Sequence, residues 1–554
     1  LRTMPQTPAA ASWSRRHGVV FAGMTLAFAA VPWTVGPWPS QDGPNHLAVA
    51  HILRTYGEPG SPFPRYWDVQ GGFRPSTALY SVLSLASRYV SEGTLEKLAV
   101  SFALAALPLA LLLLARRAVP DRAANVLLSF PLLLGFSFAM GFLSFQIALA
   151  FGILALALGW EPRATPAEGS RLTWRYGLAS ASYFLCVWWH PVVALMTGMV
   201  LLLLEGNALR RWTAWRRILV MVVPGAVFLV AAYVLASAAP GSAADAGDTH
   251  FSDPVSVLGA AFEYCIGYTP FEVVPRVAAV AWMLRYVGKS VRANPPLRDG
   301  AEAAVGRVVL ALLLLYCVLP GTLAGWNYCS ARFLLFAWLL LPLGAQFPAR
   351  VARRLPAIGP VLAALVLAIQ WPFLRASSRQ IEDVIDAGRT LPRGAAIVPA
   401  DFNVGPLGPQ PTIDAWGYLV LDHDAVASQV FASGRPRMGG ERFRTLTFHP
   451  GVLDVATGAL PWSGFEMWSD VWRPCAPAGS PARWFVHTDG TCADGVAARQ
   501  HALAEVLDRY DYVLMLHPTE RDQELFASGL RLLSHVGAAW MYASPHGRSG
   551  GQAR

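Results

Sequence analysis

The sequence predicts a polytopic α-helical membrane protein of about eleven spans, followed by a soluble α/β domain. Three observations carry this. Apolar side chains make up 54% of the 554 residues and charged ones 14%, with a mean hydropathy of +0.39; a soluble domain carries roughly 25% charge. Runs rich in Leu, Ala and Val return at lengths of about 15 to 22 residues, which a bilayer needs and a soluble core seldom sustains. From about residue 375 the runs shorten to strand length, as in AAIVPA, YLVL, ARWFVH and DYVLML, with helical patterns such as RQIEDVIDAGRTLP and AARQHALAEVLDRY between them.

The N-terminus, 1–17, carries Arg2, Arg15 and Arg16 and reads as cytoplasmic. A first span covers about 18–36; no small-residue cleavage site follows it, and WTVGPWPSQDG suits an aromatic interfacial belt, so a signal peptide is disfavoured. Spans follow at about 95–115, 123–140 and 142–160, with Arg116 and Arg117 on one side and the turn Met140-Gly141 on the other. The run 178–204 has Arg residues beyond both ends, so one straight helix would break the positive-inside rule. Trp188-Trp189-His190-Pro191 at its middle predicts a hairpin of two short helices. Further spans at about 217–237, 272–288, 306–320, 333–347 and 357–373 complete the membrane domain, 18–374. Arg285, Lys289, Arg292, Arg298, Arg350, Arg353 and Arg354 fall in cytoplasmic links. An odd number of spans puts the α/β domain, 375–545, outside, with 546–554 as a disordered tail.

A net charge of +9 and a pI near 9.4 invite a nucleic-acid partner. The Arg residues instead fall in short clusters between apolar runs, as topology determinants do, so no nucleic acid is expected. Six cysteines lie without a CxxC, which leaves thiolate metal sites and redox motifs unsupported. Cys475 and Cys492 both fall in the outer domain, where they form either a disulfide or two separate thiols.

Polar residues are concentrated in the first outer loop, 37–92, which is too long for a connector. Gly43-Pro44 starts a helix and places Asp42 at its N-terminus, as an N-cap, as a carboxylate poised for base or metal chemistry at the lipid boundary, or as both. Leu47, Ala50 and Leu53, with Ile52 and Tyr56 nearby, predict an apolar side lying on the bilayer, and a second surface helix covers Ser76 to Tyr89. His46 and His51 could join Asp42 around a metal, but five residues apart on a helix they diverge. Asp68, with Arg65 and Arg74, occurs in the aromatic stretch PFPRYWDVQGGFRPS, suited to a sugar or to interfacial anchoring. A second outer loop carries Asp245, Asp248, His250, Asp253 and Glu263 without Lys or Arg, either as a solvated acidic loop or as a second carboxylate for the site. Arg332 at the outer end of a span needs an anion, for which a lipid phosphate is the obvious candidate, unless it snorkels to headgroups. His190 contacts the same phosphate or breaks a helix.

Together, Asp42 in SQDGPNHL, the long first loop with surface helices, the short and broken spans and the terminal domain resemble the GT-C class of integral-membrane glycosyltransferases. That class includes the protein O-mannosyltransferases and the bacterial lipid A aminoarabinose transferases. FRPSTALYSVLSLASRYVSEGTLEKLAVSFAL, MGFLSFQIALAFGILALAL and YCSARFLLFAWLLL extend the resemblance over about 18–373. It implies a polyprenyl-phosphate sugar donor in a bacterial inner membrane, and inverting transfer to a glycan, lipid or protein acceptor on the outer face. Asp42 would be the general base, and Arg332, with His190, Arg74 and His46, would bind substrate or donor phosphate; Asp68, Asp248 and Asp253 are candidates for a second acid. Several GT-C families have two adjacent acids where this chain has Asp42 followed by Gly43, so the resemblance does not require a divalent cation, Mg or Mn. A transporter would show inverted repeats and mid-span carboxylates, and neither is visible. A non-catalytic glycan-binding or partner-binding member of the fold is opposed by Asp42 alone. A polymer ligase is a subclass that sequence does not separate from a single-sugar transferase.

Overall fold

The structure is a computed structural model. It describes residues 13–69, 73–160, 174–237, 254–293, 301–321, 328–402, 409–427, 446–448 and most of 510–545, with a few single residues besides. Helices dominate up to residue 388: α1 (Arg15–Ala30), α2 (Gly43–Thr55), α3 (Ala78–Ala86), α4 (Glu92–Ala118), α5 (Phe130–Leu133), α6 (Phe136–Ala139), α7 (Leu143–Gly159), α8 (Trp174–Trp189), α9 (Pro191–Glu205), α10 (Trp212–Ser237), α11 (Pro254–Glu263), α12 (Val273–Ala293), α13 (Ala301–Val318), α14 (Cys329–Gly344), α15 (Ala349–Ala352) and α16 (Leu355–Gly388). Four segments are long and apolar enough to cross a bilayer, at Arg15–Thr34, Glu92–Ala118, Trp212–Val234 and Leu355–Gly388, and shorter apolar helices pack among them. The protein is an integral membrane protein.

The expected hairpin at 178–204 is present. His190 lies between α8 and α9, and the Tyr183 hydroxyl donates to the Ala194 carbonyl at 3.0 Å. Pro191 opens α9 at a position that needs no amide donor.

The expected span 123–140 is not one helix. Pro120, Pro131 and Gly135 break it into a 3₁₀ segment, Pro120–Leu128, and the short α5 and α6. Such backbone survives at membrane depth only inside protein, and here all of 122–142 is buried except the half-buried Leu132. Its polar side chains cap α14: Arg122 donates to the Gly344 carbonyl at 3.1 Å, and Asn125 to those of Pro342 and Ala345 at 2.9 Å.

α16 runs unbroken through 375, where the outer domain was expected to begin. Its 34 residues span about 50 Å, longer than a hydrocarbon core of about 30 Å, and its C-terminal turns are polar. A mixed five-stranded sheet sits on that end, in the order β3 (Val426–Ala427), β2 (Ala396–Asp401), β5 (Tyr512–Leu516), β7 (Ala539–Ala543), β6 (Arg531–Val536). β2 is parallel to β3 and β5, and β7 is antiparallel to β5 and β6. The Ser534 hydroxyl donates to the Ala387 carbonyl at 2.6 Å, and the Ala538 amide to Asp383 at 3.2 Å. AAIVPA and DYVLML form β2 and β5 as expected, but YLVL lies in a helix, α17 (Gly417–His423). A four-residue apolar run suits either state, and here Leu419 is packed against Gly388 of α16.

The first loop is enclosed by this C-terminal region. Strand β1 (Trp67–Val69) pairs antiparallel with β4 (Leu446–Phe448). α2 does not lie on the bilayer: Ala48, Val49, Ala50, His51 and Ile52 are all buried, because small and apolar residues occur all round it and α3 and α17 both pack against it. α3 leaves Val82, Leu85 and the following Tyr89 exposed along one side.

Candidate functional site

Two backbone hydrogen bonds anchor the chain at Asp42. The Gln41 amide donates to the Ala139 carbonyl at 2.8 Å and the Asp42 amide to that of Met140 at 3.0 Å, fastening the start of α2 to the broken segment. Gly141 makes this approach possible. It has φ +79°, and a Cβ there would stand 2.7 Å from the Gly43 nitrogen and 2.9 Å from that of Asp42. Asp42 occupies the cap position of α2, but its side chain makes no capping bond, which corrects the N-cap reading. The half-buried carboxylate instead acts on Arg332 through its charge.

Arg332 is in the first turn of α14, 8% exposed, with its guanidinium 5.4 Å from the centre of the Phe142 ring. Phe142, Phe136, Tyr264 and Tyr328 form one aromatic cluster around it, with centroids 4.8 to 6.4 Å apart. Tyr328 reaches this place through a left-handed backbone, φ 57°, immediately before α14. His190 is buried against Phe145 and lies in the field of the same guanidinium. Three residues singled out in the sequence, Asp42, His190 and Arg332, thus converge from the first loop, the α8–α9 hairpin and α14.

Arg74 is half-buried in a turn that packs on the end of α8: the Phe73 ring lies 4.6 Å from Trp188, and Trp188 Nε1 donates to the Thr77 hydroxyl at 3.3 Å. The His46 ring has its Nδ1 3.0 Å from the Tyr80 hydroxyl. It lines a pocket with Trp38, Leu83, Glu96, Val100 and Phe138 on the α4 side of α2. Asp68 is exposed on β1, opposite Thr447. Asp248, Asp253, Cys475 and Cys492 lie outside the described residues. His51 has separated from Asp42: its ring nitrogens lie 3.2 Å from Glu92 and 2.9 Å from Asp424. Burial disfavours the charged imidazole, yet these two carboxylates together hold its pKa above the usual 6.5. Among the described residues no three His, Cys, Asp or Glu side chains are grouped to hold a metal ion.

Sequence reasoning missed Asn45, Glu96 and Asp414. Asp414 is buried above the first turn of α2, accepting from Asn45 Nδ2 at 3.1 Å and Trp416 Nε1 at 3.2 Å. Burial pushes its carboxyl up to about 7. Glu96 is 3% exposed and accepts from the Tyr418 hydroxyl at 2.8 Å. An acid in the first turns of a membrane helix was the available signal for Glu96, and a buried-type amide on a helix read as lipid-facing was that for Asn45; Asp414 gave none.

No protein-family model matches the chain, and no curated protein matches it by sequence. Among solved structures, ArnT from Cupriavidus metallidurans bound to undecaprenyl phosphate matches 95% of this chain and 98% of its own at TM-score 0.55 and 10% identity. The apo state of that protein matches 97% of this chain and 99% of its own, at TM-score 0.52 and 12% identity. The chain has the GT-C fold over nearly its whole length.

Proposed function

We propose that this chain is an inverting membrane glycosyltransferase. It moves a sugar from a polyprenyl-phosphate donor to a glycan, lipid or protein acceptor on the outer face of a bacterial inner membrane. The N-terminus is cytoplasmic, as the Arg clusters argue, and the sheet region lies outside. The observation that carries the reading is the half-buried Asp42 set against the buried Arg332, with His190 in the same field. Supporting it, the ArnT structure that shares this fold binds undecaprenyl phosphate.

The chemistry needs one base and one anion site. Asp42 takes the acceptor hydroxyl proton as that oxygen attacks the anomeric carbon, and the bond from that carbon to the phosphate oxygen breaks with its electrons leaving on the phosphate. Arg332, with His190 and Arg74, stabilises that departing charge in a site walled by aromatic rings, where water screens little. Asp68, Asp248 and Asp253 are candidate second acids, and no step depends on a metal.

The test uses purified protein in lipid nanodiscs, a panel of radiolabelled polyprenyl-phosphate sugars and a membrane extract as acceptor. Asp42→Asn should lower donor turnover by about 10² to 10⁴ while undecaprenyl phosphate still binds. No turnover of any donor by folded wild type would overturn the reading and favour a binding or transport protein.

A further inference from the structure

Four contacts from the segment 410–418 land on the start of α2 or on its nearest neighbour. The Gln410 amide donates to Gln41 Oε1 at 3.2 Å, and Asn45 Nδ2 donates to Asp414 Oδ2 at 3.1 Å. Gly417 is so close to Pro44 that a Cβ on it would stand 2.4 Å from the Pro44 carbonyl oxygen. The Tyr418 hydroxyl donates to Glu96, whose other oxygen would meet a Cβ on Gly43 at 2.8 Å. Residues 41, 43, 44 and 45 are therefore gripped from above and below, and the residue they surround is Asp42.

Packing alone does not explain this arrangement. A buried carboxyl held by two neutral donors fills space less favourably than an apolar side chain of the same size. What the Asp414–Asn45 bond supplies is direction: it fixes the rotation of the first turn of α2, where no capping bond fixes it. A side chain at the N-terminus of a helix moves with that turn, and a shift of about 1 Å at a reacting group costs up to about 10²-fold in rate.

We propose that Asp414, acting through Asn45, is a positioning residue that holds Asp42 toward Arg332, so that the C-terminal region sets the geometry of the membrane site. This rests on the transferase reading above, and the experiment has an arm that does not. Wild type, Asp414→Ala, Asn45→Asp and the swap Asn45→Asp/Asp414→Asn are compared in nanodiscs. Donor kinetics are measured with the polyprenyl-phosphate sugar that wild type consumes, and local opening by hydrogen–deuterium exchange of peptides covering 38–55 and 329–344.

The single substitutions should lower kcat by about 10- to 100-fold with donor KM within about 3-fold of wild type. Exchange should rise about 10-fold or more at the Gln41 and Asp42 amides, with none at 329–344. The swap, which rebuilds an amide–carboxyl pair, should restore both. Unchanged exchange at Gln41 and Asp42 in the single variants would overturn the proposal. So would kcat and KM failing together with exchange raised across α14, since that is general loosening of the fold. If wild type consumes no donor, the transferase reading fails, and the exchange arm still decides whether Asp414 holds the turn that carries Asp42.

Discussion

Gly141 and Gly60 form a matched pair for testing whether the site depends on close backbone approach. Both have left-handed backbones, φ +79° and +81°, so alanine at either takes on the strain of an L side chain in that region, about 1–2 kcal/mol. They differ in surroundings. Nothing lies within 4 Å of a Cβ on Gly60, whereas a Cβ on Gly141 would press on the Gly43 and Asp42 nitrogens at 2.7 and 2.9 Å. Backbone atoms cannot rotate away, so the start of α2 must retreat by roughly 0.7 Å to reach ordinary contact. It must also stretch the bonds from Gln41 and Asp42 to Ala139 and Met140. Gly60→Ala should therefore unfold a few degrees earlier on heating, with turnover unchanged. Gly141→Ala should show at least that loss together with a fall in donor turnover of about 10- to 100-fold. Thermal unfolding in nanodiscs and initial rates at saturating donor separate the two effects. A Gly141→Ala protein with wild-type turnover and the stability of Gly60→Ala would refute the argument that this glycine places Asp42.

Two further predictions concern stability. The pKa of His51 is held above 6.5 because Asp424 and Glu92 together outweigh burial and Arg54. Its contribution is full below pH 6.5 and lost as pH rises through the raised value, whereas Asp424, held below 3.8 by His51 and Arg393 against its own burial, contributes until strong acid. Thermal stability should fall as pH rises above about 6.5; the buried Asp414 carboxyl, near 7, adds a fall of the same sign, so His51→Gln should make the slope shallower without abolishing it, and a slope as steep in the variant would be contrary. Glu272, fully buried, accepts from the Tyr268 and Thr269 amides at 2.7 and 2.9 Å, from Gln370 at 2.8 Å and from Arg276 at 3.0 Å. Glu272→Ala should destabilise by about 3–5 kcal/mol in denaturant titration because it strands Arg276, and Glu272→Leu/Arg276→Met should recover most of it. Equal losses in both variants would contradict the view that the stranded charge is the cost.

Much of this molecule was legible because its signals are local. Runs of apolar residues gave the helices of the membrane region, and opposing Arg clusters around 178–204 demanded the hairpin that His190 and Pro191 provide. Asp42, Arg332 and His190 stood out because a charged or polar group at a membrane boundary needs a reason. The misreadings share one cause. The run 123–140 has the apolarity of a span, yet protein covers it on every side, and that cover lets Pro120, Pro131 and Gly135 break it without cost to unmet amides. Apolarity reports what a segment can be buried in and does not distinguish lipid from protein.

The same ambiguity explains why the surroundings of Asp42 were not legible. The apolar side of α2 suited a bilayer surface, but its opposite side, with Asn45, Ala48 and His51, is equally buried, and the cover comes from residues 410–424. Chain separation that long leaves no periodicity to read, since a contact between Asn45 and Asp414 imposes no spacing on either segment. It does leave chemistry. An Asn and a His are poor choices for a lipid-facing helix and good ones for a helix whose covering segment supplies acids. The pairing of Asn45 with Asp414 and of His51 with Asp424, six and ten residues apart along the two segments, is what a helix lying along another stretch of chain produces. Both pairs lie on one length of α2, and Asp42 stands at its end nearer the Asn45–Asp414 pair. The C-terminal region therefore meets the membrane site through the helix that begins at Asp42, and a change in that region reaches the site by turning this helix.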